Sequence, residues 1–395
     1  MTRRAAISTH ANQINAPLFR ELARTNEHFQ VLLLSETPPG QSVFDSEMQI
    51  SFAWDVDTTS GYPGTTFPNA RAQVLRPQLR DLRRVFRQTH QWIKKVNPHS
   101  VMLPAWNPIY ATILPILRAN NTSVVFRGVC RVPRARSALR LAVSDTAKRR
   151  FLSRVDVANY IGTHAREELL RLGFPTSRMV YSPYGIDNTS WATRVEEAPR
   201  QALREQLGVS EETTVFLLVN KLIDKKGLHH LLPAVQRASR HADLRVLIVG
   251  EGPLRSNLDL EIRRRDLTDI VHLVGFRNQT ELGGYFAAAD GFVLLSDDPA
   301  ETWGLVLNEA MAAGLPVVAS IDAGATCDLV SPGLTGFRID PRRPQELTDA
   351  MIKISSKPIR SKMRKNSRLL VAAHGVVPAA AGVTRAFDMA TARSH

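Results

Sequence analysis

With 395 residues, 44% of them hydrophobic and 7% aromatic, the chain is long enough for two domains of ordinary globular composition, each with its own core. Its two cysteines, Cys130 and Cys327, lie far apart and outside any CxxC spacing, so they support neither a disulfide framework nor a metal site and suit a reducing, cytoplasmic setting. A net charge of +14 admits nucleic acid, an anionic membrane face or anionic substrates, but no helix-turn-helix, zinc-finger or RNP-type signature accompanies it, so nucleic acid is not expected as a partner.

The N-terminal MTRRAAISTHANQ is basic, yet its apolar run is too short for a signal-peptide core, and no stretch is read as approaching 18 apolar residues. A soluble or peripherally attached protein is expected. A strand over 5–9, a loop over 10–15, a helix over 16–25 and a strand over 30–34 form a β–α–β unit that starts a parallel sheet. In such a sheet the loop after the first strand faces the ligand crevice, which makes His10, Asn12 and Gln13 candidates for acceptor contact or proton handling. Residues 44–69 are rich in turn formers and read as an elaborate loop with a short strand. Its Asp55-Val56-Asp57 has the form of a DxD metal motif but lacks the surrounding single-sheet context, and reads as an acceptor loop or a turn with capped backbone. A basic helix over 71–96, kinked at Pro77, places Leu75, Leu79, Leu82, Val85 and Phe86 at core spacing. Strands over 100–103, 122–127, 156–161 and 179–182, separated by helices, complete a doubly wound domain that ends near Trp191. Between Arg127 and Arg154 stand nine basic residues against Asp145 alone, either a solvated helix face or a patch for a membrane or an acceptor.

Residues 192–209 read as a hinge-forming linker plus a first amphipathic helix. Strands over 214–219, 245–250, 270–274, 291–295 and 316–319 then alternate with helices, a second doubly wound sheet. Its first turn, 220–227, carries Asn220, Lys221 and Lys226, while Leu228, Leu231, Leu232 and Val235 beyond it are core. Gly250-Glu251-Gly252-Pro253 fails as a dinucleotide fingerprint because Arg255 occupies the third glycine position. Asp297 and Asp298 have no further ligands beside them in the sequence and read as solvated. In AETWGLVLNEAMAAGLPVVAS, residues 300–320, a loop leads to a helix over 305–313 and a Gly-Leu-Pro stop before a strand. Gly304 and Leu305 offer backbone N–H groups at the helix start, and Glu301 and Glu309 on either side accept hydrogen bonds from hydroxyls, a combination suited to a sugar phosphate. A docking helix over 341–354 and a basic, then Ala-rich tail over 361–395 close the chain.

Glu301 and Glu309, with Gly304 and Leu305 between them and AMAAGLPVVAS after them, resemble the E-x7-E signature of the retaining glycosyltransferases of family 4, with Trp303 where that family usually has Phe. The resemblance implies an α/β protein of the GT-B fold with two Rossmann-like doubly wound domains facing a central cleft: an acceptor domain over 1–191, a donor domain over 192–360, and a tail over 361–395 that packs back on the first domain. It implies transfer of a sugar from a UDP- or GDP-sugar to a hydroxyl of a glycan, lipid or small molecule, with retention and without a metal or other cofactor, in the cytoplasm or peripherally at an anionic inner membrane face. Lys221 and Lys226 stand where the family has an Arg and a Lys five residues apart, and would neutralise the departing diphosphate with the Leu305 helix start. Glu301 would hold hydroxyls of the donor sugar and Glu309 those of ribose; Gly252 would approach the phosphates, and Phe276 and Arg277 the base, mainly through backbone groups. Arg127 stands where relatives often have a sugar-contacting His, and would serve an anionic group instead. Thr163, in a strand-to-helix turn, and Tyr184, in place of a common Asn, complete the acceptor side, whose HANQINAP loop departs from the usual Gly-rich one. A GT-B-like epimerase or phosphorylase shares this phosphate logic. A basic nucleic-acid-binding protein explains the charge but not Glu301, Glu309 and the lysine pair together.

Overall fold

Burial on both faces explains why the strands are unbroken apolar runs rather than alternating ones. In the computed structural model, which describes residues 2–35, 42–67, 79–128, 137–298 and 301–393, β1 (Arg4–Ser8), α1 (Asn15–Thr25) and β2 (Phe29–Leu33) build the opening β–α–β unit. The chain next forms an antiparallel hairpin, β3 (Val43–Asp45) and β4 (Ile50–Phe52), and then β5 (Gly64–Thr66), which pairs parallel with β2. The stretch read as a loop with a short strand therefore holds three strands of three residues each. They carry little apolar pattern because none of their residues is buried; pairing, of β3 with β4 and of β5 with β2, holds them in place.

Then follow α2 (Leu79–Val96), β6 (Ser100–Pro104), α3 (Pro108–Ala119), β7 (Ser123–Arg127), α4 (Ala138–Leu152), β8 (Val157–Tyr160), α5 (Thr163–Arg171) and β9 (Met179–Tyr181). These strands form an all-parallel seven-stranded sheet in the order β5-β2-β1-β6-β7-β8-β9. In α2 Val85, Trp92 and Ile93 are buried, whereas Phe86, expected in the core, is 43% exposed because it falls on the solvent side of the helix. Pro77, Leu75 and the Leu79 and Leu82 side chains lie outside the described residues, as do Cys130, Arg131, Arg134 and Arg136.

Residues 192–209 are mostly helical, not linker: α6 (Asn188–Glu196) is capped by Asp187, whose side chain accepts from Ser190 N–H at 3.0 Å, and α7 (Arg200–Gln206) follows. The second sheet runs through β10 (Thr214–Val219), α8 (Leu231–Ala238), β11 (Leu244–Val249), α9 (Arg255–Arg264), β12 (Val271–Gly275), α10 (Gln279–Ala288), β13 (Gly291–Leu294), α11 (Val306–Ala312), β14 (Val317–Ser320), α12 (Thr326–Leu329) and β15 (Gly336–Ile339), all parallel in the order β12-β11-β10-β13-β14-β15. β15 has no counterpart among the strands expected from the sequence; its Gly336 is needed because a Cβ there would sit 1.8 Å from Val317 O on the neighbouring strand.

The C-terminal stretch forms α13 (Pro344–Ser355), α14 (Lys357–Ala372) and α15 (Val376–Ala392). By composition Lys357–Ala392 contains a window apolar enough to cross a membrane, with mean hydropathy 1.4, which the sequence reading overlooked. It folds as two helices broken at His374-Gly375, and the apolar face of α15 (Ala379, Ala380, Val383, Ala386, Phe387 and Ala390) is buried in the core that also contains α1 and β2 residues.

The chain divides into two units: Met1–Pro39 with Asp57–Tyr184 and Val376–His395, and Gly40–Val56 with Gly185–Gly375. The sequence boundary at 191 falls inside α6. The 361–395 tail is shared, α14 lying in the second unit and α15 in the first, and the β3–β4 hairpin belongs to the second unit.

One buried ion cluster pins the second unit. Arg204, 1% exposed, donates to Asp290 at 3.1 Å and to the carbonyls of Ala288 and Thr213, while Asp290 also accepts from Val215 N–H and from Arg200. Replacing Asp290 by Ala leaves buried Arg204 with only the exposed Glu211, at 3.6 Å, as a counter-charge. The expected loss is about 3–5 kcal/mol, read as a fall in the urea midpoint of the second unit.

Candidate active site

The lysine turn lies at the C-terminal end of β10, where parallel α/β sheets bind ligands. Its backbone path is fixed by two glycines of the next turn: a Cβ on Gly250 would lie 1.8 Å from Asn220 O, and one on Gly252 would lie 2.5 Å from Leu222 O. Both therefore let the turns pack on each other, a closer constraint than approach to a phosphate. Lys221 donates to Asp45 at 2.7 Å and Glu47 at 2.8 Å, and Lys225 to Glu47 at 2.7 Å. These two lysine hydrogen bonds hold the Glu47 carboxyl down to about 2. Asn220 Nδ2 is buried without a hydrogen-bond partner among the described residues.

Lys226 forms an ion pair with Glu301, which also accepts from Ser296 Oγ at 3.1 Å. The loop carrying Glu301 is tied down by Gly324 N–H to Glu301 O at 3.0 Å and Ala325 N–H to Trp303 O at 2.8 Å. Gly324 must be glycine, since a Cβ would stand 2.0 Å from Thr302 O. Gly304 turns the chain into α11 at φ +90, a left-handed conformation that glycine adopts without strain. Leu305 stands at the N-cap position of α11 and makes no side-chain capping hydrogen bond. Trp303, expected among the donor contacts, is 2% exposed and its indole N–H donates to Asn308 Oδ1 at 2.8 Å. Its bulk and its polar atom both serve the fold, so it positions the loop instead of facing a ligand.

Glu309 keeps some exposed surface, yet its carboxyl is enclosed by α6 and α10, and burial pushes it up to about 7 against the pull of a Gln279 hydrogen bond and the Arg194 charge. Trp191 Nε1 donates to Glu309 O at 2.9 Å and fixes this turn of α11. Gln279 and Arg194 were not singled out from the sequence. Phe276 packs on Phe52 of β4 with ring centroids 4.7 Å apart, and Arg277 donates to Tyr285 Oη at 2.9 Å and to Phe276 O at 3.0 Å.

The described residues include one cluster with metal-ligand geometry, His229, His230 and Asp297, which the sequence reading did not assemble. His229 is 65% exposed, and the Arg342 guanidinium bears on both His230 and Asp297, which disfavours a cation there. Asp297 is thus paired with histidines rather than simply solvated.

Residues 199–370 match the family model described as glycosyl transferases group 1. In this part the chain is similar to the group 1 glycosyltransferases. Among curated relatives, the alpha-D-kanosaminyltransferase of Streptomyces kanamyceticus is 27% identical over 58% of this chain and 59% of its own length. The GDP-mannose-dependent alpha-(1-6)-phosphatidylinositol monomannoside mannosyltransferase of Mycobacterium tuberculosis is 29% identical over 54% of this chain and 56% of its own. The chain thus spans rather more than half the length of these relatives. Among solved structures, HepE of Anabaena in complex with UDP matches with TM-score 0.73 at 19% identity, over 98% of this chain and 100% of that one. Sucrose-phosphate synthase of Thermosynechococcus elongatus matches with TM-score 0.70 at 19% identity, over 99% and 100%. The fold is GT-B, with two Rossmann-like units.

In the first unit of this glycosyltransferase fold the sequence candidates divide between structural and open positions. Arg127, proposed to serve an anionic group, is 3% exposed and donates to Asn159 Oδ1 at 2.8 Å, Ser182 Oγ at 2.7 Å and Pro183 O at 2.8 Å. Burial lowers its pKa to about 10, so it stays charged and clamps β7, β8 and the chain after β9. Tyr184 is half-buried with its ring 5.7 Å from that guanidinium. Asn12 Oδ1 accepts from the N–H groups of Ile14 and Asn15 at 3.1 and 2.8 Å, a turn that starts α1. His10, beside Thr9 Oγ1 at 3.0 Å, and Thr163, at the first position of α5, are exposed. Within the basic stretch, Lys148 is buried against Glu168 at 3.5 Å, while Arg140, Arg149 and Arg150 face solvent.

The raised Glu309 carboxyl fixes the sign of a pH effect. Between its ordinary value of 4.5 and about 7 the unfolded chain releases this proton while the folded chain keeps it, so stability falls as pH rises through that window. Glu309→Gln should flatten this slope in urea midpoints measured from pH 4 to pH 8; parallel slopes for the two proteins would show the carboxyl is not held protonated.

Proposed function

We propose that the protein is a retaining glycosyltransferase that moves a sugar from a nucleoside diphosphate sugar to a hydroxyl acceptor. The observation that carries this reading is the ion pair between Lys226 and Glu301, which joins the lysine turn and the E-x7-E stretch, 75 residues apart, at the C-terminal ends of neighbouring strands. A phosphate-seeking cation and a hydroxyl-seeking carboxylate share one place there. In the reaction, the bond from the anomeric carbon to the diphosphate oxygen breaks and its electron pair leaves with the diphosphate. The acceptor oxygen takes its place at the carbon and its proton is released. Lys221 and Lys226 offset the charge that develops on the leaving group. α11 has only seven residues, so its dipole adds less than the lysines do. Glu301, released from Lys226, receives donor-sugar hydroxyls, and Glu309 receives ribose hydroxyls.

The UDP of HepE and the GDP-mannose of the mycobacterial relative support a UDP- or GDP-sugar as donor. A glycan, lipid or small-molecule acceptor, a metal-free diphosphate site, and a cytoplasmic or membrane-peripheral setting complete the reading.

Transfer of labelled sugar from a UDP- and GDP-sugar panel, scored with and without acceptor mixtures, tests it. Lys221→Ala should weaken nucleoside diphosphate binding by about 1.5–3 kcal/mol, the worth of a hydrogen bond to a charged group. Glu309→Ala should abolish transfer in a protein that still folds. Full activity in folded Glu309→Ala, or product formed only without acceptor, would sink the assignment.

A further inference from the structure

The β3–β4 hairpin presents to the second unit the same chemistry that a nucleotide donor would. Its two carboxylates, Asp45 and Glu47, take the ammonium of Lys221 at 2.7 and 2.8 Å, and Glu47 also takes that of Lys225 at 2.7 Å. Seven residues past Asp45, the Phe52 ring closes on Phe276 with centroids 4.7 Å apart and a 39° tilt, an aromatic contact with no space for a third ring. Trp54 backs Phe52 edge-on at 4.9 Å. The hairpin is then fastened at its far end, where Asn278 Nδ2 donates to Ala53 O at 2.7 Å and Thr280 N–H to Asp55 at 2.9 Å. Acid and aromatic groups thus cover, in order, the lysine expected to meet the diphosphate and the residue expected to meet the base.

These contacts are of the exchangeable kind. Lys221 is 34% exposed and Glu47 45% exposed, so the ion pairs are partly solvated and each is worth little on its own. A ligand that brings a doubly charged diphosphate and a base on one molecule meets both positions at once.

We propose that the β3–β4 hairpin is a built-in competitor of the nucleoside diphosphate: it occupies Lys221 and Phe276 when the donor site is empty and leaves them when the donor binds. This rests on the reading of Lys221 and Phe276 as donor contacts. Two consequences follow from the geometry. The empty lysine turn is kept from binding stray anions such as inorganic phosphate, which cannot displace Phe52. The affinity for a nucleoside diphosphate is set partly by how firmly the hairpin is held, since a hairpin closed in roughly nine molecules of ten raises the apparent Kd about tenfold.

The test is calorimetric titration of the full chain with UDP and with GDP, comparing wild type, the double variant Asp45→Asn/Glu47→Gln, and Phe52→Ala, which alters no charge. Both variants should bind the preferred nucleotide more tightly, by about tenfold when the hairpin is mostly closed. Hydrogen exchange of wild type gives a second readout that needs no variant: amides of residues 43–52 should exchange faster at saturating nucleotide. Equal or weaker binding by the variants overturns the proposal and leaves the donor site standing. Tightening confined to the charge variant, with exchange at 43–52 unchanged or slowed, is relief of repulsion or closure of a lid, and overturns it as well. Absence of nucleotide binding by every protein, each folded by circular dichroism, overturns the donor-site reading itself and the proposal with it.

Discussion

Three lysines in one turn, Lys221, Lys225 and Lys226, repel one another unless anions stand close by, and the rest of the second unit is arranged around that need. In the structure the anions come from the chain: Asp45 and Glu47 for the first two, Glu301 for the third. The turn cannot relax by moving away, because Gly250 and Gly252 let the adjoining turn lie directly against it. A fixed concentration of positive charge at a strand end, satisfied only by partly exposed carboxylates, is a site poised for exchange with a diphosphate.

The buried charges elsewhere behave differently. Arg204 and Asp290 are nearly inaccessible and bound to backbone carbonyls and N–H groups as well as to each other, so they hold elements together out of reach of a ligand. Arg127 is the same kind of residue in the first unit, with amide, hydroxyl and carbonyl oxygens in place of a carboxylate. Exposure and partner type separate these structural cations from the lysines of the turn. Glu309 lies between the two classes, enclosed enough to be held near neutrality yet beside Gln279 and Arg194, groups that steer its carboxyl.

Much of the fold was legible because parallel strands buried on both faces announce themselves as apolar runs; β10 over Thr214–Val219 begins and ends where its sequence says. β15, with an Arg in its four residues and Gly and Thr before it, carries no such run and was hidden. α6 was hidden by its polar face, since Trp191 and Val195 alone supply its buried side. Lys226 and Glu301, singled out by residue type and spacing, meet in an ion pair, whereas Trp303 and Arg127 were assigned to ligands because a sequence does not tell which way a side chain faces. The hairpin's role was the least legible, since its partners lie more than 170 residues away. One signal was available: Asp45, Glu47, Asp55 and Asp57 occur with no Lys or Arg among them in a chain of net charge +14, an acidic stretch in need of a basic partner.

The central claim is that the lysine turn and the E-x7-E stretch together form a nucleoside diphosphate site. Thermal unfolding of the full chain with nucleosides, nucleoside monophosphates, nucleoside diphosphates and inorganic pyrophosphate, in chelator, tests it most directly. A diphosphate of one base should raise the melting temperature most, by the equivalent of about 2.7 kcal/mol at a hundred times its Kd, with the rise lost in Lys221→Ala. Equal shifts from every anion, or a shift that persists in Lys221→Ala, would contradict it.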